Sequence, residues 1–472
     1  MNPLAVTAEQ HVAAAPETVF ALFGAGAGAG WVFDATCDQV SVGAVVTLRV
    51  PFGNPVELLG RISRLDPPHR IELVHDLPWR GRVRLLLDAD GAGTRVRLVA
   101  DVDAAGLEWL MRRHGHPVED PGPSGAHVLG LLTSKSGSGS VFAAATEYAA
   151  TLAVEEVNAD GGVHGRPLRL VVGDDATQPW IGAAEARRLV RAGARAVLVT
   201  TTSATFARTA AVLRHSGVLL VQTLMNEGGL GDELRFQLGE RPLAQLRAAC
   251  GPVMRSAAGR RWFLAGNAYV WPRMVHGEAR RVLGEQAATI VGERFAPLGT
   301  GEFGPLIERI ERSGADVVLS SFVGADLVAF ERQCHAMGLR RKVRTLALTL
   351  DEPTRERIGD AAAEGMWGVS GYFTDLPGAR NQAFLRRYRA RYGRFAPPLS
   401  SIGESAYEGV HLYVAAARRA SSTDPAEVAR ELLSARVPLP RGVVALDGPE
   451  GAPQQLHLAE ARPGGFALYP TG

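Results

Sequence analysis

The chain has 472 residues, 46% of them hydrophobic and 21% charged, with 51 basic and 49 acidic side chains. At roughly 100–200 residues per domain this is a multi-domain chain, and the composition excludes a disordered polymer. The cations are almost all Arg, since Lys occurs only at Lys135 and Lys342, and the near-neutral balance lacks the basic bias of a non-specific nucleic-acid binder.

Three cysteines, Cys37, Cys250 and Cys334, stand far apart with no Cys-x-x-Cys pair. Neither a disulfide framework nor a zinc clip is expected, and no other metal or cofactor signature is present. No apolar run reaches the roughly 18 residues of a membrane span. The opening stretch has no basic segment, and Glu9, His11 and Glu17 interrupt it, so the expectation is cytoplasmic residence.

Residues 1 to about 115 read as mostly β. A short helix is expected at 15–23, with Pro16 near its first position and Glu17 in its first turn. Segments 45–50, 82–87 and 94–99 carry period-2 patterning. In the last, Arg95 and Arg97 share one face, Val96 and Leu98 the other, as in an antiparallel sheet with one wet face. Turn signals at 51–54, 66–68 and 90–93 separate them. A helix of about three turns follows at 104–114. Residues 115–125, with three prolines and two glycines between 117 and 125, read as a linker.

From residue 126 the period changes. Short apolar runs begin near 128, 168, 196, 218, 262, 287, 317 and 344, and helical stretches such as 141–158, 183–192, 303–313 and 326–337 fill the gaps. Alternating strand and helix means parallel sheets covered on both faces. About 345 residues exceed one comfortable core, so two α/β lobes are expected. Three polar loops follow successive strands: residues 131–140 with Ser134 and Ser136, residues 200–205 with Thr201 and Ser203, and residues 222–226 with Gln222 and Asn226. The carboxyl ends of strands are where open α/β sheets bind ligands. Gly24–Gly30 lacks the strand before it and helix after it that a dinucleotide loop needs. Asp174 and Asp175 read as turn caps ahead of a metal pair. No assembled catalytic triad is evident.

Residues 127–462 resemble the type I periplasmic binding proteins, in the branch for branched-chain amino acids, amides and urea. The resemblance rests on Gly130-Leu-Leu-Thr-Ser-Lys-Ser-Gly137, Ala153-Val-Glu-Glu-Val-Asn-Ala-Asp-Gly-Gly162, Gly165-Arg-Pro-Leu168, Asp174 and Tyr269-Val-Trp-Pro272. It implies a two-lobe α/β fold, one lobe at about 126–245 plus 375–472 and the other at 246–374, closing about a hinge on a small ligand. By position it implies a site of Ser134, Ser136, Thr201, Ser203, Gln222, Asn226, Tyr269, Trp271, Phe322 and Asp351. Thr201 and Gln222 stand where that branch carries tyrosines, and Asn226 where it carries a hydroxyl. Ser203 would bond a polar head group, Trp271 would cover the ligand, and loops 322–324 and 349–351 would close the second side. Residues 1–114 more weakly resemble the START-like SRPBCC family, through Ala15-Pro16-Glu17, Trp31 and the strand before Pro67-Pro68. That implies a curved sheet around a C-terminal helix and an apolar cavity.

The expectation is a non-catalytic receptor for an amino acid, amide or urea-like molecule, acting as a cytoplasmic sensor or carrier with a regulatory partner. The alternatives are the substrate-binding receptor of an ABC importer, and a cyclase, hydrolase or apolar-ligand carrier in the START-like part. No nucleic-acid partner and no membrane insertion are expected.

Overall fold

The computed structural model describes residues 4–23, 35–37, 40–50, 56–113, 125–451 and 453–469. The chain divides into two compact units, Met1–Pro121 and Gly122–Gly472. Gly24–Gly30, Trp31, the turn at 51–54, His114 and linker residues 115–124 lie outside the described residues.

In the first unit seven strands form one sheet, in the order Leu4–Val12, Gly93–Val102, Gly81–Asp90, Arg70–Leu77, Val56–Asp66, Val45–Val50, Ala35–Thr36. Every pairing is antiparallel. Alternation places Val83, Leu85 and Leu87 inside and leaves Arg82 and Asp88 in water, the one-wet-face pattern that such sheets allow. The helix Ala104–Arg113 docks through Gly106, where any Cβ would overlap the Trp79 indole. Trp109 completes the contact, its ring centroid 5.6 Å from that of Trp79.

The second unit contains two α/β lobes. The first-lobe sheet is parallel throughout, in the order Arg235–Gln237, Leu219–Gln222, Ala196–Thr200, His127–Thr133, Leu168–Asp174. The second-lobe sheet runs Thr289–Ala296, Arg261–Asn267, Val317–Ser321, Arg344–Ala347, Trp367–Ser370, all parallel. Its far edge adds His457–Arg462 and Gly465–Tyr469 as antiparallel strands. The strands are apolar on both faces, as at Ala196–Thr200 and Val317–Ser321, because helices cover both sides.

The lobe boundary differs from the expected one at the C-terminal end. Helices Ala379–Tyr392 and Ser401–Ala420 pack on the first-lobe helix Ala143–Ala159. Residues 457–469 do not follow them; His457–Arg462 pairs with Trp367–Ser370 and Gly465–Tyr469 pairs with His457–Arg462, so both strands belong to the second lobe. The chain therefore crosses between lobes three times. In each lobe the order reverses beside its first strand. The reversal lies between His127–Thr133 and Ala196–Thr200 in one lobe, and between Arg261–Asn267 and Val317–Ser321 in the other. Loops leaving such a point diverge and open a crevice.

Phe322, expected at the cleft, is instead a core residue. It is fully buried, with its ring centroid 5.0 Å from Phe303 and 4.8 Å from Phe330. Phe322→Ala is expected to destabilise the protein by about 3–5 kcal/mol, read from urea unfolding midpoints. A change within about 0.5 kcal/mol, the range of surface substitutions, would contradict the core placement.

Candidate functional site

Both crevices contribute to one cavity. Its walls are Ser134, Gly139, Phe142, Thr202, Ser203, Leu224 and Met225 from the first lobe's strand-end loops, Tyr269, Trp271, Val323 and Thr349 from the second's, and Ile402 from the start of the helix Ser401–Ala420. The gap between these walls holds about 460 Å³ of free space, of which only about 30 Å³ admits the centre of a water molecule, room for one or two waters. The lobes stand close at its rim. Gly324, at φ +56°, lies so near the Ser138 carbonyl oxygen that a Cβ there would overlap it.

The first-lobe side is assembled by hydroxyls. Ser134 is buried and bonds the Asp175 side chain. Thr177 Oγ1 accepts from the Gly139 amide at 3.0 Å and donates to the Ser136 carbonyl at 3.1 Å, fixing the loop before the helix Ala143–Ala159. Thr202 caps the helix Ser203–Val212 by accepting from the Thr205 amide at 3.4 Å. This leaves the first-turn amides of Ser203 and Ala204 at a helix N-terminus, where a negative group is favoured. Ser203 Oγ donates to Glu227 Oε2 at 2.5 Å, so a carboxylate stands directly behind the cavity wall.

The second-lobe side is braced by amides and carboxylates. Asn267, at the end of its strand, accepts from the Val323 amide at 3.0 Å and donates to Asp326 Oδ2 at 2.6 Å. Thr349 Oγ1 donates to the Phe322 carbonyl at 2.8 Å. Trp271 is 2% exposed, and its indole N–H has no partner among the described residues. An unpaired buried donor costs about 1–3 kcal/mol, which a ligand acceptor would recover. Burial, with the charges of Glu227 and Asp326, pushes the Tyr269 phenol well above its ordinary pKa.

Of the ten residues expected at the site, Ser134, Ser203, Tyr269 and Trp271 line the cavity. The other six do not, each for a local reason. Ser136 donates to Asp174 Oδ2 at 2.8 Å. Thr201 is buried beside Thr202, the residue that faces the cavity. Gln222 Oε1 accepts from Gln237 Nε2 at 2.7 Å inside the first lobe. Asn226 turns back on its own loop, donating to the Leu224 carbonyl at 3.1 Å and accepting from the Gly228 amide at 3.1 Å. Phe322 is in the core. Asp351 caps the helix Glu352–Ile358 by accepting from the Thr354 amide at 3.0 Å, and burial raises its pKa. Sequence reasoning missed the apolar walls Phe142, Leu224, Met225 and Ile402. The run Leu224-Met225 between two amides was the available signal.

Asp174 and Asp175 serve the local turn. Asp175 Oδ1 accepts from the Thr177 amide at 2.8 Å, and no group of potential metal ligands occurs among the described residues. One arrangement has the order of a catalytic triad. His276 Nδ1 stands 2.9 Å from Glu293 Oε1 and its Nε2 3.0 Å from Ser321 Oγ. Ser321 is fully buried, and Gly266 presses against its hydroxyl, so no substrate carbonyl has access. These bonds brace the second-lobe sheet.

A family model described as periplasmic binding protein matches residues 128–464. The chain belongs to this family. The binding-protein part is similar to Leu/Ile/Val-binding protein homolog 3 of Brucella melitensis, 24% identical over 310 residues, covering 65% of this chain and 82% of the relative. Among solved structures it is similar to an R. palustris solute-binding protein in complex with benzoate. That pair has a TM-score of 0.66 at 20% identity, covering 73% of this chain and 96% of the other. It is equally similar to a Streptococcus pneumoniae branched-chain amino-acid transporter substrate-binding protein in complex with isoleucine. There the TM-score is 0.66 at 21% identity, covering 73% and 98%. The binding-protein fold accounts for the two parallel-sheet lobes and the interlobe position of the cavity.

Asp175 gives the site a pH signature. Burial raises its pKa to about 6 from an ordinary 3.8. Between pH 4 and 6 the unfolded chain has lost this proton while the folded one keeps it. Stability therefore falls as pH rises through that window, by up to about 1.4 kcal/mol per pH unit. Asp175→Asn is expected to flatten this fall relative to the parent, read from urea midpoints at pH 4, 5, 6 and 7. An unchanged slope would contradict it.

Proposed function

We propose that the interlobe cavity binds a small organic acid with an apolar body and an ammonium group, an apolar amino acid being the first choice. The protein would act as the substrate-binding receptor of an ABC importer. The carrying observation is the wall itself: Phe142, Leu224, Met225, Trp271, Val323 and Ile402 face a hydroxyl-lined helix N-terminus with Glu227 directly behind Ser203. The N-terminal amides suit a carboxylate, Glu227 suits an ammonium, and the apolar walls suit an aliphatic or aromatic body. Urea and simple amides leave six apolar walls without a partner, which disfavours the polar end of the ligand range expected from sequence. The relatives' names, Leu/Ile/Val-binding and benzoate-bound, span the same chemistry.

The family favours the importer-receptor reading over the cytoplasmic sensor. Such a receptor meets its ligand outside the inner membrane, and the comparisons lend the cytoplasmic expectation no support.

Thermal melting of the full chain with L-isoleucine, benzoate and urea tests the ligand class. At 100 times its dissociation constant a ligand adds about 2.7 kcal/mol. L-isoleucine is expected to raise the Tm most and urea not at all. Trp271→Ala is expected to abolish the shift, and Ser203→Ala to weaken binding by about 0.5–1.5 kcal/mol. A larger shift with benzoate than with L-isoleucine would overturn the ammonium assignment. A shift unaffected by both substitutions would overturn the site.

For residues 1–114 we propose the START-like arrangement, supported by the antiparallel sheet and the helix seated on it at Gly106 and Trp79. A long-chain fatty acid is expected to raise the Tm of the full chain even when Trp271 is replaced by Ala. No shift with that ligand would count against a cavity there.

A further inference from the structure

A second cavity opens where the chain crosses between the lobes. It is walled by Gly239–Arg241 and Ala244 on the first crossover and by Asp447–Gly451 with Pro453, Gln454 and Leu456 on the third, and its volume is about 580 Å³. It shares no wall residue with the interlobe cavity.

Its polar groups are only partly used. Glu240 Oε1 is in use, accepting from Ser370 Oγ and the Gly371 amide at 2.9 Å each, and from Ser401 Oγ. Glu450 accepts from the Gly231 amide at 3.1 Å. Arg241 and Asp447 differ from these. They attract one another electrostatically, yet no described residue makes a side-chain hydrogen bond or close ion pair with either. Gln454 donates to the Leu238 carbonyl at 2.9 Å, while its Oε1 is buried without a partner. Behind it the guanidinium of Arg441 is 7% exposed, with Nη1 also unpaired. Gln454 Oε1, Arg441 Nη1 and Glu240 Oε1 all converge within 3.2 Å of where a Cβ on Gly371 would stand. These atoms lie packed beneath the cavity wall, while Arg241 and Asp447 stand on the wall itself.

Charge decides what fits. A lone anion would pair with Arg241 but face Asp447 and Glu450. A lone cation would pair with Asp447 and Glu450 but face Arg241. A molecule carrying both charges satisfies both walls. We propose that this hinge-face cavity is a second ligand site, for a small polar zwitterion such as a free amino acid with a polar side chain, held between Arg241 and Asp447.

The place of the site gives it a consequence. A ligand joining the first and third crossovers restrains the segments that must turn when the lobes part. Arg241 also reaches the cleft loop. Its guanidinium packs on Gly228, at φ +85°, and attracts Glu227, the carboxylate that accepts from Ser203. A carboxylate bound to Arg241 weakens that attraction, so occupancy at the hinge alters the charge behind the cleft wall. This second step rests on the cleft being the primary ligand site; binding at the hinge does not.

Titration calorimetry of the full chain with L-glutamine tests the proposal. Saturable binding is expected. Arg241→Met and Asp447→Asn should each weaken it at least tenfold, while Trp271→Ala should leave it within twofold. Ala244→Phe, at an exposed helix position on the cavity wall, should block it without disturbing the fold, as melting curves would show. L-glutaminamide, without the carboxylate, and N-acetyl-L-glutamine, without the ammonium, should each bind at least tenfold more weakly. No saturable binding of L-glutamine would overturn the site. Binding lost in Trp271→Ala but kept in Arg241→Met and Ala244→Phe would assign the molecule to the cleft and overturn it equally. L-glutaminamide binding as well as L-glutamine would overturn the zwitterion assignment. None of these outcomes depends on L-isoleucine occupying the cleft.

Discussion

A single carboxylate, 4% exposed, stands where the chain passes between the two lobes. Glu240 lies on the first crossover. It accepts from Ser370 Oγ and the Gly371 amide at the start of the second, and from Ser401 Oγ at the head of the first-lobe helix Ser401–Ala420. The third crossover joins through Gln454, whose amide donates to the Leu238 carbonyl. A buried carboxylate is tolerated only when its lone pairs are filled. Three donors converge on Oε1 here, two from the second crossover and one from the helix Ser401–Ala420. Removing the carboxylate would leave all three unpaired at once, so its burial and the alignment of the crossovers enforce one another.

A second buried charge group adjoins it. Arg441 donates to both Glu408 oxygens and lies 3.8 Å from Glu404 Oε2. Glu404 is fully buried beside Glu408, and both conditions drive its pKa well above the ordinary carboxylate range. Arg441 is hydrogen-bonded to Glu408 and attracted as well by Glu404 and Glu240. Glu404 and Glu408 lie on one turn of the helix that also carries Ile402, a cleft wall. The hinge chemistry and the far wall of the ligand cavity therefore share one rigid element.

Much of this architecture is written in the sequence as period. The switch from alternation to apolar runs separated by helices marks both α/β lobes, and it places Ser134, Ser203, Tyr269 and Trp271 at strand ends. What period cannot show is which way a loop turns. Residues 222–226 read as a polar ligand loop, yet Gln222 is used by Gln237 and Asn226 by its own backbone, so Leu224 and Met225 are left facing the cavity. The amides specify the loop and the apolar pair specifies the wall, and the sequence alone does not say which is which. Ile402 was beyond reach for another reason: its place depends on a helix returning to the first lobe late in the chain. The departure of residues 457–469 to the second lobe has the same origin, since strand pairing across such separations leaves no local trace.

The apolar wall bears on how the protein distinguishes ligands. The hydroxyls and first-turn amides on the first-lobe side offer a head-group site that many small acids would fill. Discrimination among apolar bodies falls to Phe142, Trp271, Val323 and Ile402, and one methylene in such a pocket is worth only about 1–3 kcal/mol. A charged group the wall cannot pair is rejected more strongly, because it leaves either Glu227 or the incoming charge desolvated without a partner. For the proposed ligand, polarity at one end of the cavity would therefore set which class of molecule enters, and shape at the other end the ranking within that class.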